Sequence, residues 1–233
     1  MTKEELYLEL EKLGITLTDK QKEQLEIYKN FLIEYNKHTN LTRIIDEKDI
    51  YLKHFYDSLT IVKYIDLSNK KTLLDIGTGA GFPGMVLKIV YPNLEVTLLD
   101  SNNKKITFLK QLSEKLNLNV NAIQARSEEY IKEKREYFDV VTSRAMANLR
   151  VLLELSIPFV KVNGNFIAMK ANASEELKEA SNTHEKLGAK LSSINEFELI
   201  KENSKRTIIV YDKISNTDTK YPRKYDIIIK KAI

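Results

Sequence analysis

The chain has 233 residues, of which 37 are Lys or Arg and 33 are Asp or Glu, so its formal net charge at pH 7 is +4. This length suits one large domain, or one domain with a small appendage, and either can bury a sizeable core. The absence of cysteine excludes disulfides, zinc–thiolate sites and thiol nucleophiles. The mild positive excess is compatible with a nucleic-acid partner and equally with a codon bias towards lysine, so charge alone assigns no function.

Metal sites and membrane segments are not expected either. The three histidines, His38, His54 and His184, are not spaced as ligands of one site. Residues 1–13 alternate charged and apolar side chains at helical spacing, unlike a signal peptide, and no stretch approaches the ~20 apolar residues of a membrane span. We therefore expect a cytoplasmic protein that does not contact a membrane.

The first seventy residues follow a helical pattern. Apolar residues spaced by three and four, with charges between them, predict three amphipathic helices: residues 3–13, 19–37 and 47–64. Thr18 is expected to cap the second helix, and Gly14 to end the first. Because no low-complexity linker follows, residues 1–68 are predicted to be a helical extension packed on a domain formed by residues 69–233.

Beyond Thr72 the pattern changes to short apolar runs alternating with helical stretches. The predicted strands are residues 73–76, 96–99, 120–124, 138–142 and 165–169. The predicted helices are residues 85–91, 104–116, 128–134, 149–160 and 173–187. This alternation predicts right-handed crossovers and a largely parallel, doubly wound sheet. The alternation ends at residues 196–201 and 207–211, which are predicted to form an antiparallel hairpin. This hairpin favours a seven-stranded methyltransferase, because a dinucleotide-binding dehydrogenase would be expected to continue with further parallel strand–helix units.

A glycine-rich turn follows the first predicted strand. Four of the seven glycines fall within eight residues: Gly77, Gly79, Gly81 and Gly84. Such a turn brings the backbone close to a ligand, but the segment from Gly79 also fits the G-x-G-x-x-G dinucleotide pattern. Asp100, at the end of the second strand, could accept hydrogen bonds from ribose hydroxyls in a dinucleotide-binding protein and in a methyltransferase alike. Asp75, placed before the first glycine, and the terminal hairpin favour S-adenosylmethionine.

Two further segments lie at the predicted carboxyl edge of the sheet. Ser127 and Glu128 follow the third strand, where an adenine ring would lie in such a fold, although Ser127 equally suits the N-cap of the next helix. Arg144 follows the fourth strand, at the edge where open α/β proteins bind ligands, so we expect it to be functional. His54 and Asp57, one turn apart, are interpreted as a local hydrogen-bonded pair and not as catalytic groups.

Several segments together carry a family resemblance. They are residues 40–42, 54–59, 74–84, 98–101, 138–145 and 221–223, and they span nearly the whole chain. These residues closely resemble the bacterial small-subunit ribosomal RNA guanine-N7 methyltransferase G family, once called glucose-inhibited division protein B. The glycine turn extended by Phe82, Pro83 and Gly84 is far more specific than a generic methyltransferase loop. Residues 168–171 and 225–229 depart from the family pattern.

The resemblance implies a class I, Rossmann-like α/β fold with seven strands, an N-terminal helical extension and S-adenosylmethionine as cofactor. It implies cofactor contacts at Gly77, Phe82, Ser127, Glu128 and Arg144. Together with the residues inferred above, the predicted cofactor site comprises Asp75, Gly77, Gly79, Phe82, Asp100, Ser127, Glu128 and Arg144. The implied reaction is methyl transfer to N7 of one guanine in the decoding region of 16S rRNA, within naked rRNA, the small ribosomal subunit or an assembly intermediate.

Guanine N7 carries a lone pair and no proton, so this reaction requires no general base. Arg144 and Lys170 are therefore candidates for positioning the reactants. Lys170, Arg206 and Arg223 lie at or beyond strand ends, where they could meet RNA phosphates or be ordinary solvated surface. Tyr221 could stack on a base or only cover the core. A monomer is expected.

Three alternative functions remain open from the sequence. The first is a protein that binds S-adenosylmethionine or RNA without turnover. The second is a nicotinamide-dependent oxidoreductase that shares the nucleotide-binding turn. The third is the same chemistry on another acceptor, such as a protein side chain.

Overall fold

The computed structural model describes residues 1–231 and 233. In the N-terminal part the elements are α1 Lys3–Lys12, α2 Asp19–Thr39, α3 Glu47–Asp49, a π-helix Ile50–Tyr56, α4 Asp57–Leu59 and a 3₁₀-helix Thr60–Lys63. Then follow β1 Thr72–Ile76, α5 Gly84–Val90, β2 Glu95–Asp100, α6 Asn103–Leu116, β3 Asn121–Gln124, α7 Ser127–Lys134 and β4 Phe138–Arg144. The remaining elements are α8 Leu149–Ser156, a 3₁₀-helix Ile157–Phe159, β5 Val160–Lys170, α9 Ser174–Ala180, α10 Thr183–Lys186, β6 Ala189–Leu199, β7 Ser204–Lys213 and α11 Tyr225–Lys230.

The chain forms two compact units. The first unit is Met1–Lys71 with Thr78–Gln124, and the second unit is Thr72–Gly77 with Ala125–Ile233. The strand order is β3-β2-β1-β4-β5-β7-β6. The pairs β2–β3, β1–β4 and β4–β5 are parallel, whereas β5–β7 and β6–β7 are antiparallel. The predicted parallel sheet with a terminal antiparallel hairpin is therefore confirmed.

The first two helices begin and end close to the predicted residues. Thr18 caps α2 through a capping box, in which its Oγ1 accepts a bond from the Gln21 N–H at 3.3 Å and the Gln21 Oε1 accepts from the Thr18 N–H at 2.9 Å. This arrangement satisfies two N–H groups that the helix itself cannot pair. Gly14 follows α1 with φ +76, a left-handed conformation that suits glycine.

The single helix predicted over residues 47–64 is wrong in detail. Its middle is the π-helix, in which six of seven residues are buried: Ile50, Tyr51, Leu52, His54, Phe55 and Tyr56. An α-helix with one apolar stripe cannot bury so many successive side chains, and the wider turn changes which neighbours share a face. The apolar pattern correctly indicated a helical segment but not the type of turn.

The predicted helix over residues 173–187 is also wrong, because α9 ends at Ala180 and α10 starts at Thr183. Between them Ser181 has φ +25, which is incompatible with a continuous helix. The predicted helix over residues 149–160 is shorter than expected, and Pro158 lies in the 3₁₀ turn that follows it. The two hairpin strands are each longer than predicted.

Lys213, the last residue of β7, is a buried cation in the second unit. Its Nζ donates to the Ile157 carbonyl at 3.2 Å and to Thr217 Oγ1, and it lies 3.4 Å from the Glu136 carboxylate. The residue is 2% exposed. Burial is the main cause that lowers the pKa of Lys213 from 10.5 to about 8, partly offset by Glu136.

This lowered pKa predicts that the protein becomes more stable as the pH rises from about 8. Between pH 8 and pH 10.5 the unfolded chain binds more protons at this lysine than the folded chain does. The free energy of unfolding therefore rises with pH, by about 2 kcal/mol by pH 9.5. Urea unfolding at pH 7.5, 8.5 and 9.5 measures the rise. Lys213→Met is expected to abolish it, and an equal rise in that variant would contradict the assignment to Lys213.

Candidate functional site

The residues predicted for the site are divided between the two units. The first unit contains three of them: Gly79, Phe82 and Asp100. The second unit contains the others: Asp75, Gly77, Ser127, Glu128, Arg144, Lys170, Arg206, Tyr221 and Arg223.

In the first unit the glycine-rich turn is built from its own backbone bonds. The N–H groups of Gly81 and Phe82 donate to the Thr78 carbonyl at 2.9 and 3.0 Å, and the Thr78 N–H donates to the Leu99 carbonyl at 3.1 Å. Gly81 has φ +103, and a Cβ there would lie 2.6 Å from the hydroxyl oxygen of Tyr28. Only glycine fits at this position.

Asp100 lies beside this turn at the end of β2 and is oriented by three donors. Its Oδ2 accepts from the Gly79 N–H at 3.0 Å and from Lys105 Nζ at 3.3 Å. Its Oδ1 accepts from the Asn102 N–H at 2.9 Å. A carboxylate offers about four lone-pair sites, so an acceptor site remains for a ribose hydroxyl. The structure thus brings Gly79 and Asp100 together, as the predicted site requires.

Phe82 is enclosed by aromatic rings of the N-terminal helical segment. Its ring stacks on His54 with centroids 4.1 Å apart and on Tyr28 with centroids 5.2 Å apart, and the residue is 4% exposed. Tyr28 also donates its hydroxyl hydrogen to the Ala80 carbonyl at 2.5 Å. His54 Nε2 lies 3.2 Å from Thr42 Oγ1. These rings shape the turn, and their role was not predicted because the residues lie far apart in the sequence.

In the second unit β1 brings Asp75 and Gly77 to the end of the sheet. Asp75 is fully buried and is paired with Thr142 in the β1–β4 ladder. Gly77 has φ +68, and a Cβ there would lie 2.5 Å from the Met146 sulfur. Ser143, in β4, donates its hydroxyl hydrogen to the Ile76 carbonyl at 2.7 Å. The turn after β1 is therefore held by side chains from β4 and from the loop that follows it.

The suggestion that Ser127 caps α7 is wrong. Arg126 occupies the N-cap position, and Ser127 is the first residue of the helix. The buried Ser127 hydroxyl donates to the Leu155 carbonyl at 2.7 Å, which ties the start of α7 to α8. The Glu128 carboxylate lies 3.8 Å from Arg126 Nη1. Their predicted contact with a cofactor stays a prediction.

Arg144 is the last residue of β4, and the loop after it is fixed by Lys170. The Lys170 ammonium donates to the carbonyls of Met146 and Ala147 at 3.1 and 2.5 Å and pairs with the Glu176 carboxylate at 2.8 Å. Glu176 also accepts from the Leu149 N–H at 2.6 Å, at the start of α8. Lys170 is 7% exposed. It is therefore placed to position the loop after Arg144, and Glu176 is a partner that the sequence did not reveal.

We expect Lys170→Met to lower kcat by about tenfold or more, because the loop carbonyls and Glu176 would lose a shared cation. Methylation rates at saturating substrate measure the change. Lys178→Met is the matched control, since Lys178 pairs with Glu175 on the exposed side of α9. A normal kcat with a raised KM for RNA would instead favour a phosphate contact by Lys170.

The remaining candidates lie towards the end of the chain. Arg206 donates to the Lys205 carbonyl at 3.0 Å and lines a cavity of about 240 Å³ together with residues of β6 and Asn172. The Tyr221 carbonyl accepts from Arg135 Nη2 at 2.5 Å, and the Lys220 ammonium lies 5.1 Å from the Tyr221 ring centroid. Arg223 forms an ion pair with Glu154 at 2.7 Å. Their contacts with RNA stay predictions.

Comparison with known proteins identifies the family. The model of GidB, rRNA small subunit methyltransferase G, matches residues 21–232. The chain belongs to this family. The Bacillus subtilis ribosomal RNA small subunit methyltransferase G is 47% identical over 228 residues, which cover 96% of this chain and 95% of that protein. The Oceanobacillus iheyensis protein of the same name is 46% identical, with 100% of both chains covered.

Solved structures with the same fold are more distant. The crystal structure of M. jannaschii TYW2 in complex with AdoMet has a TM-score of 0.58 at 15% identity, with 74% of this chain and 80% of that chain covered. A SAM dependent methyltransferase from Aquifex aeolicus has a TM-score of 0.57 at 19% identity, with 74% and 97% covered. The predicted class I methyltransferase fold is therefore confirmed.

The family assignment made from the motifs is confirmed as well, and with it the prediction of an rRNA methyltransferase. The oxidoreductase alternative is thereby excluded, although the glycine pattern alone allowed it. Within residues 1–231 and 233, no helix is long and apolar enough to cross a membrane.

Proposed function

We propose that this chain transfers a methyl group from S-adenosylmethionine to N7 of one guanine in 16S rRNA. The observation that carries the proposal is the family match, which covers residues 21–232 and therefore both units. Relatives over nearly the full length bear the name ribosomal RNA small subunit methyltransferase G.

The residues present fit a nucleoside cofactor. Asp100 is held by the Gly79 N–H at 3.0 Å and has acceptor capacity left for a ribose hydroxyl. At position 77 a Cβ would collide with Met146, so glycine is required and no side chain covers the backbone of the turn there. We propose cofactor contacts for the full predicted set: Asp75, Gly77, Gly79, Phe82, Asp100, Ser127, Glu128 and Arg144.

When bound, S-adenosylmethionine supplies an electrophilic methyl group on a sulfonium. Because guanine N7 has no proton to lose, the side chains of this enzyme have to orient the acceptor and exclude water, and no base is needed. We propose that Arg144 and the loop held by Lys170 perform this orientation. Alignment of reactants can supply about 7–11 kcal/mol in favourable cases.

Among the RNA candidates, Arg206 and Tyr221 are the most suitable contacts. Arg206 and Tyr221 are both partly exposed, and Arg206 lines a cavity. Lys170 and Arg223 bind the carboxylates of Glu176 and Glu154. We further propose that residues 1–68 are a helical extension of a methyltransferase domain formed by residues 69–233. The monomeric state and the cytoplasmic location stay predictions.

The test is methylation with S-adenosylmethionine that carries a labelled methyl group. The protein is incubated with naked 16S rRNA, with small ribosomal subunits and with subunit precursors, and the modified base is located by borohydride–aniline cleavage, which acts at N7-methylguanine. We expect label at one guanine in the decoding region. Label in ribosomal protein, or at another atom of the rRNA, would contradict the proposal, and the preferred particle identifies the natural acceptor.

A further inference from the structure

The C-terminal segment, residues 221–231, is attached to α8 by one buried ion pair. The backbone N–H and the Nε of Arg223 donate to Glu154 Oε1 at 2.8 and 2.9 Å, and Arg223 Nη2 donates to Oε2 at 2.7 Å. The same Nη2 donates to the Lys231 carbonyl at 2.9 Å, so Arg223 also ties the far end of α11. The Glu154 side chain is 1% exposed, whereas that of Arg223 is 20% exposed.

Apolar contacts continue this attachment. Ile228, on α11, is 2% exposed and forms a cluster with Val151 and Leu155 of α8. Met146, Ala147 and Tyr225 pack against this cluster. The C-terminal helix is therefore packed against the same helix whose Glu154 binds Arg223.

The cluster leads directly to residues proposed for the site. Met146 is the side chain that faces Gly77, since a Cβ on Gly77 would lie 2.5 Å from its sulfur. The Leu155 carbonyl accepts the Ser127 hydroxyl bond at 2.7 Å. Leu155 of the cluster thus contacts Ser127, and Met146, which packs against the cluster, contacts Gly77. Both Ser127 and Gly77 are proposed cofactor contacts.

We propose that Glu154 and Arg223 form a latch, which holds the C-terminal helix on α8 and thereby keeps Met146 in place against Gly77. Both are positioning residues, and Arg223 acts through Glu154 and not through RNA. The inference rests on the proposed function and extends it to the segment from Tyr221 to Lys231. Within this segment Ile228 fills the cluster with Val151 and Leu155.

The physical basis is the cost of an unpaired buried charge. Removing one member of a buried ion pair is strongly destabilising, because the other charge loses its compensation. Without Arg223, the Glu154 carboxylate would have to reach water or become protonated, and the two side-chain bonds that attach residue 223 to α8 would be lost. Without the Glu154 charge, these bonds lose their charge-assisted strength, which weakens the attachment of the C-terminal segment to α8.

Glu154→Gln is the decisive variant, because Glu154 is too buried to touch RNA and Arg223 remains available. We expect kcat to fall and the Kd for S-adenosylmethionine to rise, each about tenfold, at a temperature where circular dichroism shows a folded protein. Arg223→Met is expected to cause the same losses, and Arg223→Lys a smaller loss because one of the two bonds survives. The double variant is expected to be no worse than Arg223→Met alone.

Asp218→Asn is the matched control. Asp218 and Lys220 form an ion pair at 3.0 Å just before the latch, but their side chains are 51% and 63% exposed. Exposed pairs of this kind contribute little, so kcat and Kd are expected to stay within about twofold of the wild-type values.

Three results would overturn the latch. Wild-type kcat and Kd in Glu154→Gln, with a raised KM for RNA in Arg223→Met, would make Arg223 an RNA contact. Additive losses in the double variant would show that the two residues act separately. A lowered melting temperature without any change in kcat or Kd would reduce the pair to a stabilising contact. If wild-type protein fails to methylate 16S rRNA, the proposed function fails, while the Kd for S-adenosylmethionine still tests the latch.

Discussion

Gly81→Ala is expected to lower the free energy of unfolding by about 2–5 kcal/mol, which combines the strain of an L residue at positive φ with overpacking. The added Cβ would lie 2.6 Å from the Tyr28 hydroxyl oxygen, 2.9 Å from Leu109 Cδ2 and 2.9 Å from Met85 Cβ. These three neighbours come from α2, α6 and α5, so the movement of one side chain would leave the other two close contacts in place. Urea unfolding measures the loss.

Gly14→Ala is the matched control for this prediction. Gly14 also has positive φ, at +76, but a Cβ there meets nothing within 4 Å. The variant therefore isolates backbone strain, and we expect a loss of about 1–2 kcal/mol. Equal losses at the two positions would show that the contacts around Gly81 contribute nothing.

Asp100→Ala is expected to raise the Kd for S-adenosylmethionine by at least about 100-fold, since bonds to a charged acceptor contribute about 1.5–3 kcal/mol each. The change removes the proposed ribose acceptor and also the group that orients the Gly79 N–H. Isothermal titration calorimetry measures the affinity, and circular dichroism checks the fold.

Lys105→Met is the matched control for this substitution, because it removes a neighbouring cation and keeps both functions of the Asp100 carboxylate. It removes the ammonium 3.3 Å from Asp100 Oδ2 but leaves the carboxylate and the Gly79 bond in place. We expect a change of only a few-fold in Kd. If Asp100→Ala binds the cofactor with wild-type affinity, Asp100 does not hold the ribose.

The sequence predicted the local features of the fold well. A capping box such as Thr18 with Gln21 needs residues only three positions apart, and strands and helices show their own periodicity. The errors occur where tertiary packing decides the conformation. The π-helix Ile50–Tyr56 buries almost all of its residues. The helical stretch is interrupted at Ser181, where no neighbouring proline or glycine indicates an interruption.

The candidate site was predictable to the same extent. The glycine turn and Asp100 follow from a strand–turn–helix pattern, and the structure brings Gly79 and Asp100 into contact. Glu154 was not predicted, because its partner Arg223 lies 69 positions away and no local pattern links them. For Arg223 the sequence leaves open an RNA phosphate contact or ordinary solvated surface, because it does not reveal a buried carboxylate opposite this residue.

The bond from the Tyr28 hydroxyl to the Ala80 carbonyl has a consequence for natural variation. It links a helix to the glycine-rich turn across 52 positions of the chain, and Phe82 stacks on the same ring. A Tyr28→Phe polymorphism would look conservative in a sequence comparison, yet it would remove a donor from a carbonyl inside the turn. Variants at position 28 should therefore be scored with those of the glycine-rich turn and not with neutral helix replacements.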